Sequence, residues 1–482
     1  MPTRLKWLDA LRGIAVLAVV YEHFASYLAP DLKLVTVQWF HAGTFGVTLF
    51  FLVSGYIVPA SIERSGSARR FWIGRVFRLY PAFTVAIALA GLVAQAEYGA
   101  VPEGLREHPG ATLLAHASML QEALGFPNAQ YQFWTLSYEM LFYLVVTVLF
   151  VAGAHRFSAG IALVLAVAAV ALGGVLPTRT FAGSETAMLT AAVVTTVVLA
   201  AGVTAVCTRR RALVAGGAVL LGAGVLALLG CNQRTGPWEG FVILGVMFAG
   251  TAIHRAERGQ TARWRAVAAV LGVTGAAIAG ACAYGGMWTL MGTDTFPAAR
   301  SWSAGVVLAV LVFGVAMALR HRRVPGPLAV VIRRAWVGPL AVVIRRAWVG
   351  PLAVVIRRAW VSPFAVVGPR AWVGPLAWVG TVSYSVYLLH MVVLFAARGW
   401  IEFAAGAPVP VRAGVAVVYL AVVLVLGHIS HRYVEMPFQR LAGRVAGRRD
   451  TPDRGAHKSP EITAKGLDTV LIGQRRSGHL TG

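Results

Sequence analysis

The sequence predicts an all-α, polytopic integral membrane protein with about 10–12 transmembrane helices and both termini in the cytoplasm. Of its 482 residues 58% are hydrophobic and only 13% are charged, whereas soluble domains carry roughly 25% charged residues. Several apolar runs approach the roughly 20 residues that a membrane-spanning helix needs. The 52 glycines also suit membrane helices, in which small residues allow close packing.

Twelve apolar runs predict the individual spans, with ends uncertain by a few residues. The run at 240–254 is short, so ten or eleven spans also fit the pattern. In chain order the runs cover residues 8–28, 42–60, 79–97, 133–152, 158–176, 187–206, 212–231, 240–254, 266–286, 302–320, 379–397 and 411–432.

Basic residues in alternate loops set the predicted orientation. The basic loops lie at 64–78, 154–156, 208–211, 254–265 and 320–323. The opposite loop at 98–130 carries Glu103, Glu107 and Glu122 against Arg106 alone. Because cytoplasmic loops are enriched in Lys and Arg, the pattern predicts a multi-pass protein of the plasma membrane with cytoplasmic termini.

The net charge of +24 has a simple explanation in this topology. A nucleic-acid binder would be equally basic, but here the arginines cluster in short loops between apolar runs, so no nucleic-acid partner is expected. Cys207, Cys231 and Cys282 form no close-spaced pattern, and neither a disulfide framework nor a metal site is predicted.

Residues 1–440 are predicted to form the transmembrane domain, interrupted by a tandem repeat at 326–373. GPLAVVIRRAWV occurs three times, followed by the diverged copy SPFAVVGPRAWV. Each unit opens with a helix-breaking pair and is too short to span a bilayer, which favours a basic cytoplasmic insert over a functional module. Residues 441–482 are polar and basic and are predicted to form a disordered cytoplasmic tail.

The first span carries ionisable groups at two depths. Arg12 and His23 are eleven residues apart, so they share one helix face and are separated by about 16 Å along the axis. Arg12 is either a boundary arginine that reaches the interface or a functional group, and His23 either a hydrogen-bonded core residue or a catalytic one. Glu22 points roughly 100° away; it is interpreted as a solvated or paired residue and receives no role.

Two other spans carry ionisable groups at a comparable predicted depth. Glu139 lies roughly six residues into a span that enters from outside, and His390 roughly eleven residues into one that enters from inside. We therefore expect Glu139, His390 and His23 at one level of the membrane. A set of histidines and a carboxylate is able to take a proton from a hydroxyl group, which is general-base chemistry.

Arg75 and Arg78 are neighbours on one helix face at the cytoplasmic side, near Arg69 and Arg70. Guanidinium groups match phosphate geometry, so this segment is a candidate phosphate site. A loop that only sets topology is the alternative.

Taken together, these stretches resemble the membrane-bound acyltransferase-3 family of O-acyltransferases. The resemblance covers the first 145 residues and 379–440, whereas 155–320 agree only in being hydrophobic. In chain order the stretches are LDALRGIAVLAVVYEHF with Arg12 and His23, GVTLFFLVSGYIV, RVFRLYP with Arg75 and Arg78, FWTLSYEMLFYL with Glu139, VGTVSYSVYLLH with Tyr384 and His390, and SHRYVEMPFQR with Glu435 and Pro437. The chain departs from the family in two places, the repeat before VGTVSYSVYLLH and the charged Glu22.

The resemblance implies transfer of an acyl group from cytosolic acyl-CoA, acetyl-CoA or a short acyl-CoA, to a hydroxyl of a carbohydrate or glycosylated acceptor. It implies a catalytic His23 supported by Glu139. Arg12, Arg75, Arg78, Tyr384 and His390 would bind substrate. Acyl-CoA would be a co-substrate, with no tightly bound cofactor.

Two questions stay open at this point. The acceptor is either a cell-surface or lipid-linked glycan or a sugar on a small molecule of the macrolide type. The rival function is a proton-coupled transporter that uses His23 and Glu139 as a proton relay; such transporters commonly have internal repeats, which the two halves of this sequence lack.

Overall fold

The computed structural model describes residues 5–98, 107–181, 183–233, 236–284, 295–320 and 370–447. Over these residues every regular element is a helix. The predicted all-α fold is therefore confirmed.

We number the α-helices in chain order. They are α1 (Lys6–Leu28), α2 (Pro30–Trp39), α3 (Ala42–Ser65), α4 (Ala68–Tyr98), α5 (Pro109–Ala117), α6 (Trp134–Val151), α7 (Ser158–Leu172), α8 (Glu185–Val206), α9 (Arg211–Cys231), α10 (Pro237–Glu257), α11 (Arg263–Tyr284), α12 (Thr295–Leu319), α13 (Arg370–Ala396), α14 (Arg398–Ala405), α15 (Val409–Ser430) and α16 (Met436–Gly447). Short 3-10 turns at Tyr131–Phe133 and Ala154–Phe157 precede α6 and α7, and a π-helical turn at His431–Glu435 joins α15 to α16.

Ten helical segments within the described residues are long and apolar enough to cross a membrane. Every one of the twelve predicted spans falls on a helix. The two spans outside the ten are α1 and α10, which are of similar length but carry more charged or polar groups. Both are largely buried inside the bundle, so their neighbours shield these groups from lipid.

The helix ends meet at two opposite ends of the bundle. At the cavity end, around His23 and Trp134, the C-terminal parts of α1 and α13 surround a cavity together with the N-terminal parts of α3, α6, α10 and α12. At the arginine end, around Arg12 and Arg75, the start of α1 meets the start of α4. α1, α4 and α13 therefore run opposite to α3, α6, α10 and α12. The side of the membrane that each end faces stays a prediction.

Glycines let the central helices touch through their backbones. A Cβ atom at Gly55 of α3 would overlap the backbone of Met247 in α10, and one at Gly250 would overlap the Leu52 carbonyl. The same kind of contact joins α1 to α13 at Gly13 and Gly380. Small residues at such positions are what dense packing between membrane helices requires.

Several sequence predictions lie partly outside the described residues. They include most of the basic loop at 320–323 and the charges Glu103 and Arg106 of the loop at 98–130. Of the repeat at 326–373, only the last four residues are described, as the start of α13. Of the predicted tail at 441–482, residues 441–447 form the end of α16, so the helix continues beyond the predicted boundary. Residues 448–482 lie outside the described part.

The contact between α3 and α10 predicts the effect of a single methyl group. Gly55→Ala should lower the melting temperature of the detergent-solubilised protein, because overpacking against rigid backbone costs about 1–3 kcal/mol. Gly91→Ala in α4 is the matched control, because a Cβ there meets nothing within 4 Å, and Ala favours a helix over Gly. Equal melting temperatures for the two variants would contradict the packing.

Candidate active site

Two histidines from α1 and α13 meet inside the bundle. The ring centroids of His23 and His390 are 5.3 Å apart, which agrees with the expectation that both lie at one depth. His390 is fully buried, and its Nδ1 lies 2.7 Å from the Tyr387 carbonyl oxygen. Because a carbonyl only accepts, Nδ1 carries the proton, and a neutral ring leaves Nε2 as an acceptor. Among the described residues this buried Nε2 has no hydrogen-bond partner.

His23 lines a cavity of about 530 Å³ at the cavity end. A volume of this size is typical of a small-molecule site. Aromatic rings form much of its wall, and the rings of Tyr131 and His23 make a T-shaped contact with centroids 5.5 Å apart. The Phe, Tyr and Trp residues of the lining are Tyr27, Phe51, Tyr131, Trp134, Trp302, Tyr387 and Phe395.

The segment before α6 positions Tyr131 and Gln132 at the cavity. Gln132 is buried, and its Nε2 donates to Gln130 Oε1 at 2.6 Å. The Tyr387 hydroxyl donates to the Gln132 carbonyl at 2.6 Å, which ties this segment to α13. Sequence reasoning missed both cavity residues, because they lie in a short 3-10 turn without hydrophobic periodicity.

Buried hydrogen bonds of His116 anchor the chain just before the same segment. His116 of α5 accepts the Ala129 amide at its Nε2, at 3.0 Å. Its Nδ1 donates to the Thr112 carbonyl at 2.9 Å. Both bonds together require a neutral imidazole, and burial lowers the pKa of His116 accordingly.

A carboxylate stands beside His23 at the cavity. Glu22 is buried, lines the same cavity and pairs with Lys33 of α2 at 2.8 Å. The interpretation of Glu22 as a paired residue agrees with this ion pair. Neither the position of Glu22 on the cavity wall nor its pairing with Lys33 was predicted, because Lys33 lies in a short helix outside the twelve predicted spans.

The predicted arginines gather at the arginine end. The Arg75 guanidinium lies 5.0 Å from the Tyr143 ring centroid and 5.2 Å from that of Phe71, and its Nη2 donates to Ser61 Oγ at 3.0 Å. Arg78 is close enough to interact electrostatically with both Arg75 and Arg12. The structure therefore brings together three arginines from α1 and α4.

Carboxylates offset this positive charge. Asp9, Glu139 and Glu435 all interact electrostatically with Arg12, and the Tyr143 hydroxyl donates to Glu139. Glu435 is buried and accepts a hydrogen bond from Ser385. Charges inside a membrane protein are expected to be paired in this way.

Glu139 lies at the level of the arginines instead of the level of His23. Thr135 of α6 is level with Tyr387 of α13, since their hydroxyl oxygens are 2.6 Å apart. His390 lies three residues beyond Tyr387 towards the cavity end, whereas Glu139 lies four residues beyond Thr135 in the opposite direction. At 1.5 Å per residue, Glu139 and His390 are about 10 Å apart along the bundle.

The expectation of a common depth for Glu139 was therefore wrong. Its depth was counted from predicted span ends, and α13 begins at Arg370, nine residues before the predicted start of that span. His390 consequently lies much nearer the cavity end than the count suggested. Tyr384 lies one helical turn before Tyr387, towards the arginine end, and interacts electrostatically with Glu139.

Comparison with known proteins identifies the family. A family model described as an acyltransferase domain matches residues 5–342, which is more than half of the chain. The chain therefore belongs to the membrane-bound acyltransferase-3 family, as the motifs predict. The match ends inside the repeat, ahead of the helix that carries His390.

Curated relatives match over shorter stretches. Peptidoglycan O-acetyltransferase OatA of Listeria monocytogenes is 26% identical over 152 residues, 29% of this chain and 23% of that protein. Acyltransferase MdmB of Streptomyces mycarofaciens is 33% identical over 150 residues, 29% of this chain and 38% of that protein. A putative O-acetyltransferase of Staphylococcus aureus is 32% identical over 90 residues, 17% of this chain and 13% of that protein. The matched stretches thus cover well under half of each relative, and no solved structure gives a significant match.

The neutral His116 predicts an acid-sensitive segment. Below pH 6.5 the unfolded segment takes up a proton that the folded one excludes, so local stability should fall as the pH drops towards the lowered pKa of folded His116. Hydrogen exchange of residues 118–133, corrected for intrinsic rates, should therefore accelerate between pH 7 and pH 5.5. His116→Gln serves as the control and should remove this dependence; an identical acid response in the variant would contradict the assignment.

Proposed function

We propose that the chain is an O-acyltransferase that moves a short acyl group from acyl-CoA to a hydroxyl of a carbohydrate or glycosylated acceptor. The observation that carries the proposal is a pair of histidines, His23 on the wall of the cavity and the buried His390 against it, in a chain of an acyltransferase family. The relatives named as O-acetyltransferases support a short acyl group, with acetyl-CoA as the first donor to test.

His23 is the proposed general base. It takes the proton of the acceptor hydroxyl as the hydroxyl oxygen attacks the thioester carbonyl carbon. The C–S bond then breaks, the CoA sulfur takes the proton from His23, and an ester and free CoA are released. An acyl-enzyme route through His23 uses the same groups, so the proposal covers both.

His390 is the proposed positioning residue for His23. Its Nδ1 is fixed by the Tyr387 carbonyl, so its Nε2 is available to accept a hydrogen bond from an N–H of the His23 ring. Two imidazoles joined by a hydrogen bond have centroids roughly 5 Å apart, and the observed separation is 5.3 Å. A ring rotation is therefore enough to form this bond. It would hold the other nitrogen of His23 towards the cavity, in the manner of a base oriented by a third group.

The arginine end is the proposed docking site for the phosphates of CoA. Arg78 repels both Arg12 and Arg75, and a phosphate bound among the three would relieve this repulsion further than the nearby carboxylates do. Glu139 holds Tyr143, which packs on Arg75. We therefore propose that Glu139 organises the arginines, in place of the support for His23 that the family resemblance implied.

Donor and acceptor would approach from opposite ends of the bundle. With the predicted orientation, the arginine end faces cytosolic acyl-CoA and the cavity end faces the outer side of the plasma membrane. A cell-surface or lipid-linked glycan is the acceptor most easily reached from there, and the peptidoglycan named for one relative is of this kind. A glycosylated small molecule fits the same cavity.

Transfer of labelled acetyl groups to the acceptor separates this function from proton-coupled transport.

The histidine pair predicts a graded loss of transfer. His23→Ala should lower kcat by about 100- to 10,000-fold, the usual contribution of a general base. His390→Gln should lower kcat by about tenfold or more while leaving the KM for acetyl-CoA near the wild-type value, since it acts through His23. The measurement is acetyl transfer from labelled acetyl-CoA in membranes with matched expression.

His428→Gln is the matched control for the histidine pair, because His428 lies in α15 and packs near Trp378, away from the cavity lining. Its kcat should stay near the wild-type value. A near-normal kcat in His23→Ala would contradict the proposed base.

The arginine cluster predicts a donor-specific effect. Arg78→Gln should raise the KM for acetyl-CoA by about tenfold or more, because a charge-assisted hydrogen bond to phosphate is lost. S-acetylpantetheine lacks these phosphates, so wild type and variant should use it equally well. Arg258→Gln, an exposed change in the loop after α10, is the control. An equal loss with both donors would contradict phosphate binding.

A further inference from the structure

Two carboxylates line the cavity, Glu22 and Glu239, and the polar wall beside His23 is built around Glu22. Glu22 Oε1 pairs with Lys33 Nζ at 2.8 Å and lies 3.6 Å from His41 Nε2. Glu22 Oε2 accepts the amide of Gly43 at 3.0 Å. All of these residues line the cavity.

Three residues from two parts of the chain, α2 and the N-terminus of α3, hold this carboxylate in one orientation. Lys33 comes from α2, His41 caps the N-terminus of α3, and Gly43 belongs to the first turn of α3. His41 Nδ1 accepts the Thr44 amide at 3.1 Å, so the proton of the neutral ring is on Nε2, which faces Glu22. A lysine and a helix N-terminus both favour the ionised carboxylate, and Glu22 is therefore a fixed anion in the cavity wall.

Lys33 is fully occupied in holding Glu22. Its ammonium group has three donors, and these reach Glu22 Oε1, the Glu22 carbonyl at 3.0 Å and Ser26 Oγ at 2.6 Å. By contrast, a carboxylate offers about four lone-pair sites, and within the described residues two hydrogen-bond donors reach the Glu22 carboxylate, Lys33 Nζ and the Gly43 amide. His41 Nε2 at 3.6 Å is beyond hydrogen-bond distance. The wall therefore presents a ligand with spare acceptor capacity at Glu22 and with no free donor at Lys33.

The cavity combines this fixed acceptor with flat rings. Tyr131, Trp134 and Trp302 supply aromatic faces or edges. A sugar ring has apolar C–H faces, which pack on aromatic rings, and an equatorial rim of hydroxyl donors. A few placed polar groups in a mostly apolar pocket are what fixes the orientation of a ligand.

We infer that Glu22 is the acceptor-positioning residue: its carboxylate accepts hydrogen bonds from two adjacent hydroxyl groups of a sugar and so directs a neighbouring hydroxyl to His23. The inference rests on the proposed function and adds to it the chemical class of the acceptor, a sugar with a free vicinal diol. Bidentate binding to an ionised group is strong and directional, which suits the placement of a reacting atom.

A purely structural role for the ion pair is the rival explanation, because Lys33 also ties α2 to α1. The structure offers a matched control for that role. Asp31, two residues before Lys33, pairs with Arg412 of α15 at 2.8 Å and ties the same helix without being part of the cavity lining. A variant of Asp31 loosens α2 and leaves the carboxylate of Glu22 in place.

The test uses purified full-length protein in detergent, acetyl-CoA, and methyl glycosides of glucose, galactose, mannose and N-acetylglucosamine as acceptors. Glu22→Gln should raise the KM for the glycoside about tenfold or more, with kcat changed much less. Asp31→Asn should leave both constants near wild type. Glu22→Asp, which keeps the charge, should recover part of the loss. An unchanged KM for the glycoside in Glu22→Gln overturns the inference. A rise in KM in Asp31→Asn as large as the rise in Glu22→Gln also overturns it.

Monodeoxy analogues of the best glycoside give a second readout. Wild type should lose about tenfold or more in kcat/KM when a hydroxyl bound by Glu22 is removed, and Glu22→Gln should lose little further, because the two changes remove one interaction. If the losses in kcat/KM from the deoxy analogue and from Glu22→Gln are additive, the inference is overturned. If the wild-type protein acylates a glycoside and Glu22→Gln acylates it with the same kinetic constants, the inference is overturned and the proposed function stands. A wild type that acylates none of them overturns the proposed function, and the inference with it.

Discussion

The backbone contact between α1 and α13 is the constraint on which the candidate site depends. A Cβ atom at Gly13 would come within 3.2 Å of the Gly380 nitrogen, and one at Gly380 within 3.1 Å of the Asp9 Cα. Helices that touch this closely cannot slide past each other without backbone overlap. The contact therefore fixes the register that brings His23 against His390, ten residues beyond Gly380.

This register also connects the two ends of the bundle. α1 carries Arg12 near one end and His23 near the other, about 16 Å away along the axis, and α13 carries Tyr384 and His390 in the same order. A long thioester bound at the arginines would therefore lie along two helices whose relative position is rigid. The proposed chemistry depends on this rigidity, because proton transfer requires placement to within a fraction of an ångström.

The helices were largely predictable from the sequence, and the site only partly so. Bilayer thickness imposes apolar runs of about 20 residues, so all twelve predicted spans fall on helices. The pairing of His23 with His390 also followed from depth. Glu139 was misplaced, because depth counted from predicted span ends carries their errors. Glu22 had no visible partner, since Lys33 and Gly43 are distant in sequence and only the short α2 brings Lys33 back over the cavity.

The central claim is that donor and acceptor reach one transfer centre from opposite ends of the bundle. The direct measurement uses sealed proteoliposomes with labelled acetyl-CoA outside and chitotetraose trapped inside, with His23→Gln as the control for leakage. The account predicts label on the trapped oligosaccharide with the wild-type protein alone. Label that appears only when acetyl-CoA and chitotetraose share a compartment would contradict it.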